Sequence, residues 1–125
     1  MSDGNIAIAV PHDPERARAV LARGRRIARH FGVGWIAVRI ETTSRNSDDL
    51  RDLVASLGGR LLCATARDIA RALIEVARRE RARLLVIGSS RRPRFLRRLK
   101  RGTTEEILRA KRPFDVVVAA EGVDL

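Results

Sequence analysis

An open α/β sandwich, five parallel strands in one sheet with helices on both faces, is the fold class this sequence predicts. Two patterns predict it. Short apolar runs rich in Val, Ile, Leu and Ala alternate with longer stretches whose apolar residues recur every three or four positions, the marks of strand and amphipathic helix in turn. The runs are also continuously apolar, as strands are when helices cover both of their faces. Length sets the scale. A chain of 125 residues buries roughly two-thirds of its unfolded surface, enough for one core, and residues 1–125 read as a single domain without linker or repeat.

The first strand is Asn5 to Val10, NIAIAV. PHDP then stops it with two prolines and supplies Asp13 as a helix N-cap, with Pro14 at the first helical position. From Glu15 to Phe31 a stripe of Ala17, Val20, Leu21, Gly24, Ile27, Ala28 and Phe31 faces inward, opposite a face of arginines; Gly24 is read as allowing close approach to the sheet. WIAVRIE, residues 35–41, is the second strand. The polar TTSRNSDD follows, with Ser47 as the expected cap of a helix carrying Leu50, Leu53, Val54 and Leu57 and closed by Gly58 and Gly59. Arg60 to Ala64 is the third strand, with Cys63 expected as a buried small hydrophobe. A helix from about Arg67 to Glu80 turns Ile69, Leu73, Val76 and Ala77 inward, and Arg83 to Gly88 is the fourth strand. After a basic loop come a helix near Thr103 to Lys111 and a last strand, Phe114 to Ala120.

Composition excludes several classes. One cysteine cannot form an internal disulfide, and two histidines offer no metal-ligand spacing, so structural zinc and other metals are not expected. No apolar run approaches the ~20 residues of a membrane span. The N-terminus lacks a basic start followed by a long apolar segment, which places the chain by expectation in the cytoplasm. No Ser-His-acid arrangement and no GK[ST] phosphate loop can be read, so Ser89 and Ser90 are expected in turn hydrogen bonds and the chain is not expected to be an enzyme.

The net charge is +11, and residues 91–101 hold seven basic side chains and no acidic one. This run lies in VIGSSRRPRFLRRLKRGTT, between Gly88 and Gly102. In open α/β sheets ligands bind beyond the carboxyl ends of the strands, where the strand order reverses. That rule selects the turn after the first strand, Pro11, His12 and Asp13, together with the loop after the third or the fourth. The loop after the fourth is the basic one.

The opening strand and helix, GWIAVRIET, VIGSSRRPRFLRRLKRGTTEEILR and FDVVVA resemble the universal stress protein domain. The closer resemblance is to the form embedded in the cytoplasmic region of the bacterial osmosensitive potassium-channel sensor histidine kinase. It implies the fold shared with adenine nucleotide alpha hydrolases, strand order 3-2-1-4-5, and a regulatory role in stress response or signal transduction. Nucleotide-binding members of that family use an Asp at the end of the first strand and a Gly, two residues, Gly, nine residues, Gly, Ser or Thr pattern after the fourth. Gly88 matches the first glycine, and Gly102 with Thr103 the final pair. Arg91 stands at the second glycine, the spacing from it to Gly102 is one residue too long, and Pro11 stands where the Asp would be. Some kinase-embedded relatives bind cyclic di-adenosine monophosphate through a serine-containing motif, to which Ser89 and Ser90 correspond without its aromatic part.

A phosphate nest needs converging N–H groups and residues free to take positive φ, and a loop with Arg91, Arg92 and Pro93 has given up some of both. What remains is the helix N-terminus at Thr103 and Thr104 and arginines, Arg91, Arg92 and Arg101 among them, able to grip an anion with side-chain forks. The expected ligand is therefore anionic, ATP or another adenine nucleotide being the candidate cofactor. The same loop also suits an acidic protein surface, or is simply an amphipathic helix docked by Phe95, Leu96 and Leu99 with its charges in solvent. Nucleic acid is not expected, since Phe95 is the loop's only ring and a single-strand binder needs a stacking platform. His12 is read as a solvated turn residue, with contact to a ligand as the alternative. A weak nucleotide hydrolase is the competing function. The last strand, with Val116, Val117 and Val118, is expected at a sheet edge and to pair two copies into a homodimer.

Overall fold

Parallel pairing dominates the architecture. The computed structural model describes residues 5–41, 48–88, 107 and 114–119. Within them the elements run β1 (Asn5–Ala9), α1 (Pro14–Phe31), β2 (Trp35–Glu41), α2 (Asp48–Ser56), β3 (Arg60–Thr65), α3 (Ile69–Arg79), β4 (Ala82–Gly88) and β5 (Asp115–Ala119). All five strands join one sheet in the order β3-β2-β1-β4-β5, and every neighbouring pair is parallel. The expected class and winding are those observed.

Strand alternation divides the core in two. Ile6, Ile8 and Val86 point to the face covered by α1 and α2, where Val20, Leu21, Leu50 and Val54 meet them. Ala7, Val38 and Leu85 point to the other, against Leu73 and Ala77 of α3 and against Ile107 and Phe114. Ile107 is helical and fully buried; the rest of the helix expected near Thr103 to Lys111 lies outside the described residues, as does Ser47. Each large aliphatic side chain sealed between helix and sheet contributes about 1.5–3 kcal/mol. β1 and β4, covered on both faces and both edges, are the centre of the molecule.

Local chemistry sets the boundaries. α1 opens on Asp13 and Pro14 as expected, but the Asp13 carboxylate makes no capping bond; its Oδ2 lies 3.8 Å from Arg16 Nε. α1 ends at Gly32, whose φ of 66° would strain any residue with a Cβ. α3 begins two residues later than the periodicity suggests because Asp68 caps it, its Oδ1 accepting from the Arg71 N–H at 3.0 Å. A Cβ on Gly24 would overlap the side chain of Ile8, the close approach read from the sequence.

Cys63 departs from expectation. It is exposed. β3 is an edge strand, and beyond Leu61 its residues are no longer buried. Phe31, the last residue of the stripe expected on α1, is likewise 53% exposed. Among the described residues no helix is long and apolar enough to cross a membrane.

Candidate functional site

The winding defines the site before any side chain does. β1 pairs with β2 on one side and β4 on the other, so the chain leaves β1 and β4 in neighbouring positions at the carboxyl edge, where the strand order reverses. Pro11, His12 and Asp13 follow β1 there, and Gly88 ends β4 opposite Ala119 of β5. Of the residues read from the sequence, these four come to one edge. Ser89, Ser90, Arg91, Arg92, Arg101, Gly102, Thr103 and Thr104 lie outside the described residues.

Two residues not singled out in the sequence join them. Arg39 and Glu41 project from the last turns of β2 onto the face of α1 and α2, two positions apart and therefore on one side of the strand. Arg39 donates from Nη2 to the Pro11 carbonyl oxygen at 3.0 Å, which ties β2 to the turn after β1. Its Nε stands 3.8 Å from Glu41 Oε1, and His12 Nδ1 approaches the same oxygen at 3.7 Å. Glu41 is only 6% exposed and is the one buried charged residue among the described residues. Arg39 Nε and Glu41 Oε2 are buried without a hydrogen-bond partner. The backbone is better satisfied: the Val10 N–H donates to the Val38 carbonyl at 2.9 Å, and the Glu41 carbonyl accepts from the Ala66 N–H at 2.8 Å.

The signal for this pair was present in WIAVRIE. Opposite charges at positions three and one from the end of an apolar strand face the same way and cannot both reach bulk water if the strand is central, so they mark a paired site. The His12 side chain is 52% exposed. Among the described residues no group of His, Cys, Asp and Glu could hold a metal ion.

A parallel sheet wound in this order, its direction of winding reversing between β1 and β4, defines a class of small α/β domains. The comparisons narrow the class. No protein-family model matches the sequence, and no curated protein does. Solved structures do match. A universal stress protein from Lactobacillus plantarum superposes with a TM-score of 0.72 at 13% identity, over 94% of this chain and 98% of its own. A universal stress protein in complex with cAMP gives 0.68 at 18%, over 93% of this chain and 96% of its own. The universal stress protein from Archaeoglobus fulgidus in complex with dAMP gives 0.66 at 19%, over 92% and 96%. The chain has the universal stress protein fold.

Proposed function

We propose that the chain is a non-catalytic regulatory module of the universal stress type, binding an anionic ligand at the carboxyl edge between β1 and β4 with the loop from Gly88 to Thr103. The observation that carries this reading is the order β3-β2-β1-β4-β5, which sets the seven-cation segment 91–101 directly after the strand at the reversal. Two structures of this fold hold cAMP and dAMP, and this supports an adenine nucleotide as the ligand. The resemblance of the second half of the chain to the sensor-kinase form supports a signalling role beside a separate effector. The exposed edge of β5 supports a homodimer.

Equilibrium dialysis of labelled ATP at about 0.15 M salt, where surface charge is screened over ~8 Å, tests the reading. Saturable binding near one per chain is expected. Absence of binding would move the basic segment to another anion or to an acidic protein partner. Phosphate release from ATP, abolished by Gly102→Val, would replace the regulatory reading with the hydrolase.

A further inference from the structure

A cleft opens at the amino edge of the sheet, opposite the candidate site, where α1 ends and β4 and β5 begin. It measures about 220 Å³ and is lined by Ile6, Phe31, Val33, Arg83, Leu84 and Asp115. Four of the six are apolar. Ile6 is buried, Val33 and Leu84 are half-buried, and Phe31, the last residue of α1, is exposed. Among the described residues Phe31 and Val118 are the only large apolar side chains left so exposed.

The charged part of the lining depends on an irregularity in the sheet. Ala82 of β4 pairs with Asn5 of β1 and Leu84 with Ile6, so Arg83 is one residue more than β1 matches, the mark of a β-bulge. Successive strand residues ordinarily face opposite sides of a sheet, yet Arg83 and Leu84 line the same cleft. The bulge re-aims the arginine, as bulges beside binding sites do. On β5, Asp115 pairs with Leu84 and is therefore the diagonal neighbour of Arg83 across the two strands. Both side chains are exposed. Among the described residues neither has an ion-pair partner, the other included. The Arg83 guanidinium lies instead over the Phe31 ring, 6.0 Å from its centroid, at the limit of a cation–π attraction.

The cleft thus presents an apolar wall, a cation and an anion together. A ligand carrying only a carboxylate would bring its charge against Asp115, and one carrying only an amine would bring it against Arg83. Sites for drug-sized ligands run to about 300–1,000 Å³, which makes 220 Å³ a site for something smaller than a nucleotide. We infer that the cleft is a second binding site, for a small zwitterion with a large apolar side chain, the chemistry of a free apolar α-amino acid. Its carboxylate meets the guanidinium fork of Arg83, its ammonium meets Asp115, and its side chain covers Phe31. The inference is independent of what binds at the carboxyl edge.

The probe is L-phenylalanine, titrated into the native chain and followed by amide shifts in nuclear magnetic resonance. Three comparators each lack one feature: hydrocinnamate the ammonium, phenethylamine the carboxylate, and L-alanine the large side chain. Expected are saturable shifts at Phe31, Val33, Arg83, Leu84 and Asp115 with a Kd on the order of 1 mM or below, and binding of each comparator weaker by about tenfold or more. Arg83→Gln and Asp115→Asn should each weaken L-phenylalanine by about tenfold, as for one lost charge-assisted hydrogen bond. Both positions are exposed, so the thermal midpoints should not move. Absence of saturable shifts at these residues would overturn the inference. A comparator that binds as well as L-phenylalanine would overturn it too, because the cleft would then not read all three features. Full affinity in either variant would remove the paired charges from recognition and the zwitterion with them.

Discussion

At the scale of single residues the chain mixes tight packing with loosely held charge. Gly24 has no room for a side chain, and Ile8, the residue a Cβ would strike, is fully buried and cannot retreat. Gly24→Ala is expected to lower stability by about 1–3 kcal/mol, the usual range for overpacking, measured as a shift in the urea midpoint without a change in slope. Glu75 shows the opposite regime. It is exposed, and the hydrogen bond and charge of Arg78 hold its carboxyl below the ordinary value of 4.5. A folded-state pKa lowered in this way adds stability above the unfolded value and loses it as pH falls through the folded one. The stability difference between the native chain and Glu75→Gln is accordingly expected above about pH 4.5 and should vanish on further acidification, as followed by thermal melts across pH. The sequence made Gly24 readable because its position within an apolar helical stripe has a single steric meaning. It made Arg39 and Glu41 readable only as a pattern, since which oxygen of Pro11 or His12 nitrogen they meet depends on how β1 and β2 are aligned.

At the scale of elements, starts and stops were legible where a turn residue dictates them and less so where a side chain decides. Pro14 and Gly32 bound α1 as their chemistry requires, whereas the start of α3 depends on one carboxylate, Asp68, accepting one N–H. Asp68→Ala is expected to cost about 0.5–2 kcal/mol and to raise amide exchange in the first turn of α3 before it affects β4. The edge strands differ from each other. β3 ends in exposed, small and polar residues, Cys63, Ala64 and Thr65. β5 instead shows Val118 at 42% exposure, an apolar side chain on an edge beyond which no strand lies among the described residues. If that edge joins two copies, Val118→Lys should convert a dimer to a monomer in sedimentation velocity with little change in the melting temperature of the fold. A native chain that sediments as a monomer at micromolar concentration would remove the dimer.

At the scale of the whole molecule the class of fold was the most legible feature of all, because five continuously apolar strands separated by amphipathic helices leave few arrangements that bury every face. Strand order was less open to composition; it came from the resemblance, and the sheet carries it. The order has a cost in time. β1 lies between β2 and β4, and the pairs it makes with β4, Asn5 with Ala82 and Ile8 with Val86, join the two halves of the chain. A fragment ending before β4, residues 1–80, should therefore show no cooperative unfolding transition by circular dichroism. On the ribosome the same geometry becomes a delay. At a synthesis rate of about 5–20 residues per second, the strand destined for the centre of the sheet stands for on the order of 4–15 s with one edge open to any other extended segment. The newborn chain is thus expected to be a client of a holding chaperone during those seconds, and its yield in cells should depend on how quickly the codons leading up to β4 are read.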